Sequence, residues 1–269
     1  MNKTVLLTGA STGIGLVIAR HLVEQGFNVV GTAREPHEPQ TEKFKLLSLD
    51  VRSEASVKEC VAEVFAQYGG VDILINNAAY ALVGSAEETE MSQLQSQFDT
   101  NFYGTVRMIK EVLPHMRKQR QGQIINMSSV VGFAAIPFLS AYSASKFALE
   151  GYSEALYHEL LPLGINVSVV QPGLVKTSFF DNGTTIENSL QEYSSGYGGV
   201  MNEISTQSGK GIPASLVAEK VVSLCRSSKP PLINTVGHEA KLVARLKRFM
   251  PKLIFNRLWQ QTFALKESG

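Results

Sequence analysis

In the stretch SAYSASKFALEGYSEALYHELL (residues 140–161), Tyr142 and Lys146 stand four positions apart among Ser140, Ala141, Ser143, Ala144 and Ser145. Residues i and i+4 share one face of a helix, so a phenol and an ammonium become neighbours with space beside them for another molecule. A tyrosine hydroxyl titrates near ~10 and is a poor acid–base group at neutral pH. A cation within ~4–6 Å favours the phenolate and lowers that pKa by roughly 1–3. The hydroxyl then comes closer to the operating pH, where general acid–base catalysis yields about 10²–10⁴-fold. Taken alone the pair is more simply a surface aromatic–cation contact, so its company decides. A hydroxyl able to steer a carbonyl oxygen comes from Ser128 or Ser129, at the end of an apolar run. Other chemistries lack their residues. There is no G-x-S-x-G elbow. His21, His37, His115, His158 and His238 are scattered without metal-ligand spacing.

The elements that must position these groups begin with LLTGASTGIGLVIARHL, where Gly9, Gly13 and Gly15 separate an apolar run from a helical pattern. Glycines permit positive φ and close backbone approach. The helix N-terminus beyond them offers free N–H groups and a partial positive charge to a diphosphate. A structural turn would also use small residues, but a position after a strand and before a helix is the context a dinucleotide site requires. Strands are expected at 4–8, 28–32, 46–49, 72–76, 123–128 and 165–170, with a last one at 230–235. Helical patterns lie between them at 56–69, from Met91 to Arg120, and from Ser140 onward. The strands are continuous apolar runs, as expected when helices cover both faces of a sheet. The alternation predicts an α/β fold: one doubly wound, Rossmann-type domain with a mostly parallel sheet of about seven strands. Ligands sit outside the carboxyl ends of such strands, so each motif should lie just after a strand.

In chain order, TGASTGIG (8–15), NNAA (76–79), Asn101 in NFYG, Ser129, YSASK (142–146) and PG (172–173) resemble the short-chain dehydrogenase/reductase family, over residues 3 to about 177. The resemblance implies an oxidoreductase that interconverts alcohol and carbonyl groups with a nicotinamide cofactor. Its catalytic set would be Asn101, Ser129, Tyr142 and Lys146. Ser129 is selected over Ser128 because it lies 13 positions before Tyr142, the family's separation. The counterpart of Asn101 holds a water linking Lys146 to solvent. Cofactor contacts are implied for Gly9, Ser11, Gly13, Ile14 and Gly15, for Asp50 and Val51 at the adenine, and for Asn77 and Ala78 at the ribose side. They are also implied for Tyr142 and Lys146, and for Pro172, Gly173, Val175 and Thr177 at the nicotinamide end. Ala79 stands where the family usually has Gly, and its methyl narrows the cofactor site. From the residues alone, Asp50 with Ser53 also suits a helix N-cap, and Asn77 suits a turn.

An acidic residue after the second strand would bind the adenosine ribose diol. Here VVGTAREP places Arg34 near the strand end, with Glu35 following. A guanidinium reads phosphate in bidentate fashion, and in the family a basic residue here implies NADP(H), aided by the Ser11 hydroxyl. Glu35 would argue for NAD(H); NADP(H) is the expectation.

Phe133, Ala134, Phe138, Phe179, Phe180 and Tyr197 are candidates for an apolar substrate pocket. A small lipophilic alcohol or ketone, steroid- or retinoid-like, is expected from the family members this chain most resembles. Residues 178–212, rich in Gly, Ser and Asn, read as a loop and substrate lid. The catalytic domain is expected over 1–237, followed by a helical, basic, amphipathic tail over 238–269. That tail suits a cap on the domain or on a second subunit, or contact with a membrane surface. A net charge of +1 gives no global field for nucleic acid. No run reaches the ~18–20 apolar residues of a membrane span. TVLLTG near the start reads as a strand, too short for a signal segment. Cys60 and Cys225 form no CxxC pair and suit a reducing, cytoplasmic setting. A homodimer or homotetramer is expected. The competing function is a catalytically silent NADP(H)-binding sensor or scaffold.

Overall fold

The first strand sends Val5 and Leu7 into one apolar cluster and Leu6 into another. Successive side chains of a strand point to opposite faces, and here both faces are covered. That is why the strands are apolar without alternation. The computed structural model describes residues 2–36, 43–180, 183–186 and 190–263. His37, parts of the 178–212 segment and the last six tail residues lie outside the described residues. Along the chain run β1 (Thr4–Leu7), α1 (Gly13–Glu24), β2 (Asn28–Ala33), β3 (Lys45–Ser48), α2 (Glu54–Tyr68), β4 (Ile73–Asn76) and β5 (Leu82–Val83). There follow α3 (Met91–Phe98), α4 (Gly104–Gln119), β6 (Gly122–Met127), α5 (Ser140–Leu160), β7 (Ile165–Pro172) and β8 (Thr184–Thr185). The chain continues through α6 (Gln191–Lys210), α7 (Ala214–Arg226), β9 (Ile233–Val236), α8 (His238–Phe249) and α9 (Lys252–Thr262).

Seven strands form one parallel sheet in the order β3-β2-β1-β4-β6-β7-β9. Ile18 and Leu22 of α1 and Val217 and Val221 of α7 cover one face. Val57 and Val61 of α2, Met108 and Val112 of α4 and Leu156 of α5 cover the other. The strand order reverses direction at β1 and β4, which opens a crevice beyond their carboxyl ends. The glycine loop, Arg34, Asp50, Asn77, Ser129 and Gly173 follow β1, β2, β3, β4, β6 and β7 respectively. Asn101, Tyr142 and Lys146 reach the same end of the sheet from helices.

Two expectations need correction. The pattern from Met91 to Arg120 is not one helix: α3 and α4 are joined by a π-helical turn, Asp99–Tyr103. Residues 178–212 are not a loop throughout, since α6 occupies twenty of them. Its glycines are outweighed by Tyr197, Val200, Met201 and Ile204, whose i, i+3, i+4, i+7 spacing packs one face against the cluster containing Tyr142. A separate parallel pair, β5 with β8, ties this segment to the chain after β4. Leu74 lies fully buried between β1 and β6. Leu74→Ala is expected to lower the unfolding free energy by about 2–5 kcal/mol in urea titration. The exposed Leu216→Ala should stay within ~0.5 kcal/mol of the parent.

Candidate active site

A cavity of about 770 Å³ lies over the carboxyl ends of the strands, within the size range of small-molecule sites. Beyond β1, toward the middle of the sheet, is the glycine loop. Gly9 holds φ +68, and a Cβ on Gly15 would stand 2.0 Å from the Gly9 carbonyl oxygen. Any side chain there would wedge the loop open. Thr12 gives α1 no side-chain cap, and no acid occupies its first turn. The first N–H groups of α1 are thus not satisfied by a cap, and Ser11, Gly13, Ile14 and Gly15 line the cavity beside them. Asn77 braces the loop: its Nδ2 donates to the carbonyl oxygens of Thr8 (3.0 Å) and Gly9 (2.9 Å). Its backbone N–H and that of Ala78 donate to Thr8 Oγ1. The Asn77 side chain therefore shapes the crevice by fixing the loop, a task beyond that of a turn residue.

Farther along, Arg34 lines the wall and Glu35 does not. Asp50 and Val51 line it as well, but the Asp50 carboxylate is gripped by Arg52. Arg52 Nε lies 3.0 Å from Oδ1 and Nη2 2.6 Å from Oδ2. This guanidinium lowers the Asp50 pKa through its hydrogen bonds. The N-cap of α2 is Ser53, which accepts from Ser56 N at 3.2 Å, so Asp50 is free of that duty. Arg52 faces the cavity too, and sequence reasoning missed it. The available signal was a second cation four residues past the end of β3.

At the opposite end, α5 presents Tyr142 and Lys146, both almost fully buried. The amine lies 5.9 Å from the phenol ring centroid and donates to the Met127 carbonyl oxygen at 2.7 Å. An ammonium has three donors; with one spent on Met127, Lys146 retains donors in a wall of the cavity. Burial pulls its pKa down to about 8, opposed by the nearby Glu150 carboxylate. Burial pushes the Tyr142 phenol up, and a hydrogen bond from Ser129 opposes that rise. The phenol pKa is thus raised where a lowered one was expected, because desolvation of the phenolate outweighs the opposing hydrogen bond from Ser129. The adjacent serines divide their work. Ser129 meets Tyr142, while Ser128 donates to Glu150 Oε1 at 2.7 Å. Gln171 Nε2 donates to Glu150 Oε2 at 2.7 Å, and Thr235 Oγ1 donates to Gln171 Oε1 at 2.8 Å. Glu150, one turn beyond Lys146, was also missed; i+4 spacing after the lysine was its signal.

Asn101 sits in the π-helical turn and is 1% exposed. Its Oδ1 accepts from Tyr80 N, and its Nδ2 donates to Tyr80 O and to Ser145 Oγ. It lies outside the cavity lining, whereas every other residue expected to bind cofactor or substrate oxygen is in that lining. Pro172, Gly173, Val175 and Thr177 form the wall after β7. Of the substrate-side candidates, Phe179 and Phe180 line the cavity, joined by Tyr80, Val131 and Ile136. Phe138 is held edge-on between Tyr193 and Tyr197 instead. Ala134 is buried, and the Phe133 carbonyl oxygen accepts from Lys247.

A cleft that runs from the arginines past an uncapped helix N-terminus and a glycine-backed floor to a buried amine suits a dinucleotide. Residues 3–187 match the model of the family described as short chain dehydrogenase. The chain is 39% identical over 252 residues to a 3-ketodihydrosphingosine reductase of Bacteroides thetaiotaomicron, a match covering 93% of each chain. It is 41% identical over 190 residues to retinol dehydrogenase 8 of Homo sapiens, covering 66% of this chain and 60% of that one. The structure of ElxO with NADP bound superposes with a TM-score of 0.73 at 27% identity, covering 88% of this chain and 97% of that one. The match spans both the glycine loop and the Tyr142 helix, and the chain belongs to the short-chain dehydrogenase/reductase family of oxidoreductases.

Proposed function

We propose that the protein is an NADP(H)-dependent reductase of a lipophilic ketone, working in reverse on the corresponding alcohol. The observation that carries this reading is that Ser129, Tyr142 and Lys146 line the same cavity as the glycine loop. A bound nicotinamide supplies a hydride to the carbonyl carbon, or accepts one from the alcohol. Everything else falls to the chain. Because its pKa is raised, the Tyr142 phenol keeps its proton at neutral pH and can donate it to the carbonyl oxygen as that oxygen gains charge. Ser129 hydrogen-bonds the same oxygen and steadies the developing charge. The Lys146 ammonium stabilises the phenolate left behind, and Glu150 helps keep that ammonium charged. Asn101 acts through position: by tying Tyr80 to Ser145 it holds the wall beside Lys146.

Arg34 supports NADP(H) over NAD(H), since Arg34, and not Glu35, lines the wall. Arg52 adds positive potential there, partly offset by Asp50. The apolar substrate side, with Val131, Ile136, Phe179 and Phe180, supports a lipophilic compound. So do the two relatives, whose names specify a sphingoid ketone and a retinoid alcohol. Buried Cys60 and Cys225 thiols support a reducing, cytoplasmic setting. Exposed Tyr103 and Phe147 give a homodimer or homotetramer apolar contact surface.

Tyr142→Phe should lose turnover by at least about 10²-fold while fluorescence titration shows NADPH binding within a few-fold of the parent; near-parental turnover refutes the assignment. Arg34→Asp should raise KM for NADPH by at least about tenfold and lower that for NADH, since a bidentate phosphate contact is replaced by repulsion; unchanged cofactor ratios exclude the phosphate role. Glu150 raises the Lys146 pKa from a value already depressed by burial. Glu150→Gln should therefore let the ammonium lose its proton at lower pH. The alkaline fall in kcat for reduction, placed near pH 8 in the parent, should move to lower pH; a fall left in place removes Glu150 from this role.

A further inference from the structure

Residues 238–263 carry six basic side chains and one acidic one, a formal +5, while the whole chain carries +1. The remainder of the chain is therefore at −4. This positive segment is α8 and α9 with the corner between them at Pro251. Its two sides differ. Inward, Phe255 and Phe263 are buried, Trp259 Nε1 donates to the Ala135 carbonyl oxygen at 2.7 Å, and Lys247 donates to that of Phe133. Trp259 and Phe263 join the cluster that contains Tyr142, Phe179 and Phe180. The helices thus cap the substrate side of the cavity. Outward, Phe249 is 79% exposed, Leu253 85%, Ile254 51% and Leu258 45%. Leu253 and Arg257, and likewise Ile254 and Leu258, are i, i+4 pairs around one shallow depression. The Arg248 guanidinium lies 5.5 Å from the Phe249 ring centroid.

We propose that this outward face docks on an anionic lipid surface and so holds the substrate side of the cavity against the membrane. Large apolar side chains interleaved with long cationic ones are what an interfacial helix needs. The apolar groups enter the acyl boundary while Lys and Arg stems snorkel to the headgroups. The charge split orients the molecule, since the +5 segment is drawn to anionic headgroups and the −4 remainder is repelled. A second copy of the chain is the wrong occupant. A two-fold interface places the same patch on both sides and would set two +5 surfaces face to face. The inference rests in part on the lipophilic-substrate reading: a substrate that partitions into a bilayer is best met at its surface. The apolar rim formed by Trp259, Phe263, Phe179 and Phe180 runs from the docking helices to the cavity wall.

The test is sedimentation of the full chain with vesicles of phosphatidylcholine alone and of equal parts phosphatidylcholine and phosphatidylserine, without substrate or cofactor. The parent should pellet with the anionic vesicles, lose that binding as salt is raised, and stay in solution with phosphatidylcholine alone. L253E/L258E and, separately, R248E/R257E should each weaken vesicle binding by about tenfold or more, while turnover of a water-soluble ketone and NADPH binding stay at parental values. A parent that does not pellet with anionic vesicles overturns the proposal. Variants that pellet equally well overturn it too. A parental dimer that L253E/L258E converts to a monomer in sedimentation velocity would assign the face to self-association instead. Vesicle binding needs no turnover, and Tyr142→Phe should pellet as the parent does. Failure here leaves the oxidoreductase reading intact, and failure of that reading leaves the docking result standing.

Discussion

An amine buried to 3% exposure, with one carbonyl oxygen and one carboxylate to keep it charged, is the constraint on which the site depends. Burying an ion is costly unless it is paired and hydrogen-bonded. Lys146 meets that cost through Met127 at the end of β6 and through Glu150 on its own helix. Glu150 is itself anchored by Ser128 after β6 and Gln171 in β7, and Gln171 by Thr235 in β9. Three neighbouring strands and α5 are therefore tied behind one amine. This explains why two adjacent serines have different partners: successive residues of an extended chain point to opposite sides, so Ser128 serves the buried carboxylate and Ser129 the phenol.

The same burial changes how the phenol works. A phenolate ready at neutral pH would suit removal of a proton from an alcohol. A phenol kept neutral by its surroundings suits donation of a proton to a carbonyl oxygen. The ammonium then matters during the step, when negative charge appears on the Tyr142 oxygen, more than before it. Electrostatic groups fixed ahead of the reaction are most effective in this way, because they need no rearrangement when the charge develops.

Much of the fold was legible because its strands are buried on both sides. Apolar runs such as Leu6–Leu7 and Ile73–Ile75 find their place inside a sheet covered on both faces. The glycine loop was legible because Gly9 and Gly15 answer steric demands that other side chains cannot meet. What escaped depends on partners distant in sequence. The α6 helix looked like a loop because its glycines and serines hide a buried stripe, Val200 and Ile204, that is meaningful only against α5 and the tail. The π-helical turn is set by Asn101 bonding to Tyr80 and Ser145, residues twenty-one and forty-four positions away. Arg52 and Glu150 passed as surface charges until the sheet brought them to the cavity wall and to the amine.

The tail extends the argument from the site to its surroundings: one side of α8 and α9 completes the apolar wall, and the other exposes Phe249, Leu253 and Leu258 beside Arg248 and Arg257. The central claim, however, is electrostatic and is tested at the amine. Single-turnover reduction of a hydrophobic ketone by NADPH, followed across pH in a stopped-flow instrument, reads it directly. The account predicts a rate that is level through neutral pH and falls above about pH 8 as Lys146 loses its proton. A rate that stays level well above pH 8, as a proton transfer indifferent to the ammonium would require, contradicts it.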